Sequence, residues 1–162
     1  KPKQKFDRVG EGVAIVNLPQ DKRKEKVTGG EVDKVRQTVK ALGKDGTLLA
    51  FYPASVGSEE KPTPTGTLKV VSVDTKPTYR YDPKYKFKGV GSTKPFNIRS
   101  GPNNPVGVAW VDLSKAHYGI HGTPVPSMIG KTQSHGCIRL TNWDVTSLIT
   151  SVGAGTEVVM QE

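Results

Sequence analysis

The segment from His121 to Cys137 holds two of the three histidines and the single cysteine of this 162-residue chain, and it ends in Ser134-His135-Gly136-Cys137. An ordinary thiol is only a few per cent thiolate near neutral pH, so a nearby imidazole is needed to take its proton and later return it to a leaving amine. A backbone N–H beside the sulfur can bind the oxyanion of a tetrahedral intermediate, and Gly136 permits the tight turn that aims such groups. These residues predict a cysteine nucleophile for acyl transfer.

Other interpretations of the same residues stay open at this point. A lone cysteine is often an inert core residue, and a lone histidine is often packed or at the surface. A zinc site from His117, His121, His135 and Cys137 is a further alternative. It is disfavoured because Tyr118-Gly119-Ile120 is typical of a strand, whereas ligands four residues apart suit a helix. One cysteine excludes an internal disulfide and a four-thiolate zinc site. Spacing alone does not decide which histidine is the base.

The composition fits one globular domain, or one domain with a tail, rather than a membrane protein. Hydrophobic residues are 34% and charged residues 24% of the chain, and no apolar stretch approaches the ~20 residues that span a bilayer. Because the chain opens on Lys1, we expect a trimmed protein whose export signal is not in view. The net charge of +9 suggests an anionic partner such as a polyanionic wall. The basic residues are spread out without interleaved aromatic residues, so we expect no nucleic-acid partner.

The elements that must position these residues are mostly strands. Residues 1–30 are predicted to be a linker or the tail of an upstream module, with one strand-like run at 13–16. From Glu31 onward the pattern predicts a β-hairpin around Gly43-Lys44-Asp45-Gly46. A helix over 31–42 is an alternative that the β-branched residues in this segment disfavour.

Four more strands are predicted further along the chain, at 67–73, 106–113, 118–120 and 157–160. Residues 74–105 are rich in aromatic residues and proline, and long ordered loops of this kind often bind substrate. One helix is predicted, Asn142–Val152, with Asn142 as its cap and Gly153 as its stop. The sum is a mainly β domain with one or two short helices.

These residues together resemble the L,D-transpeptidase catalytic domain family (YkuD-like). The resemblance begins with His121 and with Ser134-His135-Gly136-Cys137, followed by an apolar residue and Arg139. It continues upstream in Phe51–Gly57, in Thr63-Pro64-Thr65-Gly66 and in Tyr118–Gly122, and it covers about residues 31–161. Many family members carry Asn where this chain has Arg139, although Arg also occurs there.

The resemblance implies a β-sandwich-like fold with its site at one end under a flap, and no metal or organic cofactor. It implies that Cys137 is the nucleophile, that His121 is the proton donor and acceptor, and that His135 shapes the site. The N–H groups of Gly136 and Cys137 would form the oxyanion hole. The Gly122 carbonyl would orient His121 in the role that Asp or Asn plays in other triads. The candidate substrate contacts are Tyr118, Ser134 and Arg139.

The resemblance also implies a substrate and a location. Family members cut a tetrapeptide stem of peptidoglycan before its terminal D-alanine and pass the acyl group to an amine on a neighbouring stem. We therefore expect a monomeric enzyme of the periplasm or cell envelope that takes stem peptides as partners, with a wall-anchored protein as a further candidate acceptor. An L,D-carboxypeptidase that uses water as the acceptor and a non-catalytic wall-binding module are the alternatives.

Overall fold

The computed structural model describes residues 25–58, 61–87, 90–131, 134 and 136–162, together with the backbone of two short strands near the N-terminus. The strands are Phe6–Arg8 (β1), Ala14–Val16 (β2), Gly29–Asp33 (β3), Thr38–Leu42 (β4), Leu48–Pro53 (β5), Ser55–Val56 (β6), Gly66–Asp74 (β7), Tyr79–Tyr81 (β8), Phe96–Ile98 (β9), Trp110–Leu113 (β10), Gly119–His121 (β11), Ile138–Arg139 (β12) and Glu157–Gln161 (β13). The described helices are the α-helix Asn142–Ile149 (α1) and single 3-10 turns at Lys44–Gly46, Pro83–Tyr85 and Pro126–Met128. The prediction of a mainly β fold with one or two short helices is confirmed.

Nine of the strands form one sheet in the order β5-β4-β3-β13-β7-β10-β11-β12-β6. The long strand β7 joins its two halves, because the first residues of β7 pair with β13 and the last residues pair with β10. One buried cluster contains Val39 and Met160 from the first half and Val111 and Ile138 from the second. The sheet therefore closes over a shared core, which gives the sandwich-like arrangement.

The hairpin predicted around the Asp-Gly turn is confirmed, because β4 and β5 pair in antiparallel register. The alternative helix over 31–42 is wrong, since two strands occupy that segment. Strand β3 begins at Gly29 and pairs in parallel with β13, so sheet structure starts within the segment assigned to the tail. The pair β1–β2 lies further upstream, and the division of the chain at residue 30 stays a prediction.

The predicted helix is present but shorter than expected, and its cap is a different residue. Thr141 caps α1, because its Oγ1 accepts a hydrogen bond of 3.0 Å from the Asp144 N–H. The assignment of Asn142 as the cap is therefore wrong, and the helix ends at Ile149, before Gly153. Across the described residues, no helix is long and apolar enough to cross a membrane.

Residues 74–105 leave the sheet between β7 and β10 and form a small ordered unit where the structure describes them. Strands β8 and β9 pair as a hairpin. The buried Tyr81 ring packs between Phe87 and Phe96, at centroid distances of 5.2 and 5.1 Å. The buried Asn104 amide donates to carbonyls at both ends of the unit, including that of Pro77 at 3.3 Å. The strand predicted to begin at 106 begins at Trp110, because residues 101–108 form successive turns.

Candidate active site

One face of four neighbouring strands brings the candidate residues together. Strands β10, β11, β12 and β6 lie side by side, and their registers align two rows of side chains. One row is buried in the core and consists of Val111, Ile120, Ile138 and Val56. Because side chains alternate along a strand, the neighbouring row faces the opposite way and consists of Trp110, His121, Arg139 and Ser55. Simple alternation thus separates the residues of the core from those of the candidate site.

The His121 ring is buried and fixed by two contacts. Its Nδ1 lies 2.7 Å from the carbonyl oxygen of Gly122. A carbonyl only accepts hydrogen bonds, so Nδ1 carries the proton and Nε2 of the neutral ring keeps a free lone pair. The indole of Trp110 stacks on the imidazole, with ring centroids 5.3 Å apart and planes 15° apart. The ring is thus held in the tautomer and plane that a general base requires.

The surroundings of His121 keep the imidazole neutral. Burial, and to a smaller extent the positive charge of Arg139, lower its pKa to about 4. The hydrogen bond to Gly122 acts in the opposite direction but is outweighed. Near neutral pH the ring therefore carries no charge and can accept a proton.

Cys137 lies one step before β12, beside the start of β11. Its Sγ–H donates to the His117 carbonyl at 3.4 Å. Burial raises the pKa of the Cys137 thiol, while the backbone of Gly119 and the charge of Arg139 lower it by smaller amounts. The thiol and the imidazole are therefore both neutral at rest, and a nucleophilic role for Cys137 would require proton transfer to accompany attack by the sulfur.

The turn before the cysteine is fixed from outside by a hydroxyl group. The buried Thr63 Oγ1 donates to the Gly136 carbonyl at 2.7 Å. That carbonyl and the Cys137 N–H belong to one trans peptide and point in opposite directions, so Thr63 sets the direction of the Cys137 N–H. Thr63 was not singled out from the sequence, although it opens the run Thr63-Pro64-Thr65-Gly66 on which the resemblance partly rested.

The glycine at this turn is required by both conformation and space. Gly136 has a φ of +101°, which side chains rarely allow, and a Cβ there would lie 3.0 Å from the Tyr118 ring. Tyr118 is half-buried, and the ammonium of Lys115 lies 5.1 Å from the centroid of its ring. Tyr118 therefore packs against the turn that precedes Cys137.

The other candidates take different positions. Ser134 is buried, and its hydroxyl donates to the Cys137 carbonyl, so it contacts the turn itself. Arg139 is partly buried and lines a cavity of about 450 Å³. His135 lies outside the described residues. In the described part of the chain, no group of three or more His, Cys, Asp or Glu side chains is placed to hold a metal ion.

Asn142 holds the segment that follows His121. Its Oδ1 accepts hydrogen bonds from the N–H groups of Thr123 and Val108, at 3.1 and 3.3 Å, and its Nδ2 donates to the Pro102 carbonyl at 3.1 Å. A Cβ on Gly122 would collide with Oδ1. The absence of a side chain at Gly122 thus lets its backbone lie against Asn142 while its carbonyl faces His121.

Comparison with known proteins identifies a protein family that the chain matches. The L,D-transpeptidase catalytic domain model, YkuD, matches residues 29–160. YkuD of Bacillus subtilis (strain 168), which is named as an L,D-transpeptidase, is 34% identical over 74% of this chain and 57% of its own length. YkuD of Bacillus licheniformis is 38% identical over 68% of this chain and 52% of its own length. The chain thus spans about half the length of these curated relatives.

Solved structures share the fold. An L,D-transpeptidase from Mycobacterium smegmatis superposes with a TM-score of 0.63 at 21% identity, over 85% of this chain and 59% of that one. L,D-transpeptidase 3 from Mycobacterium tuberculosis, in complex with a faropenem-derived adduct, gives a TM-score of 0.63 at 21% identity, over 82% of this chain and 59% of that one. At this identity the likeness establishes the fold.

Proposed function

Because the chain belongs to the L,D-transpeptidase catalytic domain family, we propose that it is a cysteine acyltransferase acting on the tetrapeptide stems of peptidoglycan. The observation that carries the proposal is the shared sheet face: the His121 ring, locked by Gly122 and Trp110, lies in register with Arg139, two residues after Cys137. The proposed site of action is the cell envelope, where a net charge of +9 suits an anionic wall.

The first half-reaction makes a thioester. His121 Nε2 takes the proton of the Cys137 thiol as the sulfur attacks the carbonyl carbon of the third residue of the stem. The N–H groups of Gly136 and Cys137 hold the oxyanion. When the tetrahedral intermediate collapses, the bond to the terminal D-alanine breaks and the imidazolium gives its proton to the leaving amine.

The second half-reaction reverses these steps with a new amine. The amine of a neighbouring stem attacks the thioester carbonyl, and His121 takes the proton that the amine loses. The Cys137 sulfur then leaves and receives this proton from the imidazolium, which restores the neutral thiol and imidazole. Water in place of the amine would make the protein a carboxypeptidase. A neutral resting pair suits both half-reactions, because Nε2 must be free of a proton each time a nucleophile is activated.

In this proposal, three residues contribute by holding the catalytic groups in position. Thr63 and Ser134 fix the peptides on either side of the nucleophile through their hydrogen bonds to the carbonyls of Gly136 and Cys137. Gly122 orients the base through its carbonyl. The buried position of Ser134 favours this role over the substrate contact expected from the resemblance, whereas half-buried Tyr118 remains a candidate contact.

The test is product analysis with a purified disaccharide-tetrapeptide. We expect the wild-type protein to release D-alanine and form a cross-linked dimer, and Cys137→Ala to leave the substrate unchanged while keeping the fold by circular dichroism. A trimmed tripeptide without dimer would show that water is the acyl acceptor and that the protein is a carboxypeptidase. Unchanged substrate with the wild type, or full turnover by Cys137→Ala, would contradict the proposed function.

A β-lactam supplies a second readout that needs no acceptor. One L,D-transpeptidase structure that shares this fold is of a complex with imipenem. We expect imipenem to add to the Cys137 sulfur of this chain by opening its lactam ring, with a mass gain equal to the whole drug. The gain should be absent from Cys137→Ala.

A further inference from the structure

A cavity of about 450 Å³ opens beside the candidate site, between described residues of the segment that joins β7 to β10 and the loop that follows β11. Its wall is largely apolar: Phe87 and Ile98 line one side, and Val125 and Ile129 line the other. Arg139 is the charged residue among the described residues that line it. The two segments that form the wall are the long excursion before β10 and the loop after His121.

Arg139 lies between the candidate catalytic residues and this cavity. It is in register with His121 on one side and Ser55 on the other. The Ser55 hydroxyl accepts a hydrogen bond of 3.1 Å from the Gly130 N–H and so holds the loop that forms the far wall. Successive residues on one face of a strand are roughly 7 Å apart, so the backbone positions of Arg139 and Cys137 are separated by about two extended residues.

The charge of Arg139 has no protein partner in the described part of the chain. The ion pairs recorded there join Arg36 to Asp33 and Lys40 to Glu31. A partly buried cation without a counter-ion loses hydration without a compensating electrostatic attraction. A guanidinium offers paired donors that match a carboxylate bidentately. Arg139 is therefore arranged to receive a carboxylate from outside the chain.

Building on the proposed acyl-transfer function, we propose that Arg139 binds a carboxylate of the acyl-donor peptide, so that the enzyme selects anionic donors. A stem peptide offers two such groups. One is the α-carboxylate of the terminal residue, which is separated from the scissile carbonyl carbon by only the leaving nitrogen and one α-carbon. The other is a carboxylate on the side chain of the third residue, in stems that carry one.

Three donors distinguish the two sources: a peptide with both carboxylates free, one with the C-terminus amidated, and one with the third side chain amidated. The measurement is kcat/KM for release of the terminal residue. With the wild type we expect amidation of the recognised group to lower kcat/KM about 10- to 100-fold, as for loss of a charge-assisted hydrogen bond. Amidation of the other group should have a small effect.

The variants make the test specific to Arg139. Arg139→Gln should lose about 10- to 100-fold more kcat/KM with the free donor than with the donor whose recognised group is amidated, because any effect of the arginine charge on Cys137 is common to both donors. Arg139→Lys should recover part of this difference. Arg36→Gln removes an exposed arginine of the turn between β3 and β4 that does not line the cavity. It is the matched control and should behave as the wild type with every donor.

Three results would overturn the proposal, and they separate its failure from that of the proposed acyl transfer. Turnover of the free donor with no response of the wild type to either amidation, or equal losses for all donors in Arg139→Gln, would overturn carboxylate binding and leave acyl transfer intact. No turnover of any donor by the wild type would overturn both.

Discussion

The Trp110 indole and the His121 imidazole stack nearly in parallel, with their centroids 5.3 Å apart. The two residues are direct partners across β10 and β11. The Trp110 Nε1–H donates to Asp112 Oδ1 at 3.3 Å, and Gly119 makes room for the indole because a side chain there would collide with it. The plane of the proposed base is thus set by a neighbour on the adjacent strand as well as by the Gly122 carbonyl.

Removing this stack should impair the chemical step more than binding. We expect Trp110→Leu to lower kcat about 10- to 100-fold, since a small misplacement of a catalytic group has effects of this size, and Trp110→Phe to retain more activity. A purely structural role would not move the pH profile. Since burial lowers the His121 pKa, Trp110→Leu should also shift the acidic limb of kcat/KM towards higher pH. A profile and kcat equal to the wild type would contradict this role.

The reactivity of Cys137 should follow that of a thiol, not of a preformed thiolate. Because burial raises its pKa, the rate of alkylation by iodoacetamide should rise with an apparent pKa above the ordinary thiol value of about 8.5. Arg139→Gln should raise the apparent pKa further, because the arginine charge favours the thiolate. An apparent pKa below about 7 would instead indicate a thiolate–imidazolium pair at rest.

Burial of neutral His121 should make stability depend on pH. Its folded pKa of about 4 lies below the unfolded value of about 6.5, so the unfolded chain binds more protons between these values. Stability is therefore full above the unfolded pKa and falls as pH drops. From about pH 7.5 to about pH 5 the loss due to this group should be about 2 kcal/mol.

Urea unfolding of matched variants isolates this contribution from those of the carboxylates. His121→Gln should lack the additional loss of stability, whereas His117→Asn, at an exposed position with positive φ that Asn tolerates, should retain it. Equal pH slopes for the wild type and His121→Gln would show that His121 is not buried in its neutral form.

The hydroxyl of Thr63 should affect both stability and kcat, although Thr63 lies far from Cys137 in sequence. Thr63→Val keeps the shape but leaves the buried Gly136 carbonyl without a donor, which should cost about 1–3 kcal/mol of stability and lower kcat by loosening the Cys137 N–H. Thr65→Val is the control, because the Thr65 hydroxyl is exposed and contacts Lys34 and Glu162. Equal effects of the two substitutions on kcat would argue against a role for Thr63 in the oxyanion hole.

Structural features that depend on residues close together in the sequence could be predicted. The hairpin around the Asp-Gly turn, strands β7 and β13 and the presence of α1 follow from alternation, turn residues and helical spacing within short windows. The candidate nucleophile and the histidines could also be selected locally, because residue types adequate for acyl transfer lie within one segment of the chain.

What could not be predicted depends on pairing between distant segments. The two-residue strands β6 and β12 are too short to show alternation, yet their pairing places Ser55 beside Arg139. The bond from Thr63 to Gly136 spans 73 residues. Asn142 was predicted to cap a helix because its type suits that position, but its amide instead joins Thr123 and Pro102, and the neighbouring Thr141 caps.

The most direct test of a covalent intermediate on Cys137 is the intact mass of the protein after a brief incubation with a tetrapeptide donor and an acid quench. We expect the wild type to gain the mass of the tripeptide acyl group, located on Cys137 by fragmentation and released by hydroxylamine as a thioester. His121→Gln should accumulate the adduct far more slowly, and Cys137→Ala should form none. D-alanine release without a covalent adduct at any time point, or an adduct on another residue, would contradict the account.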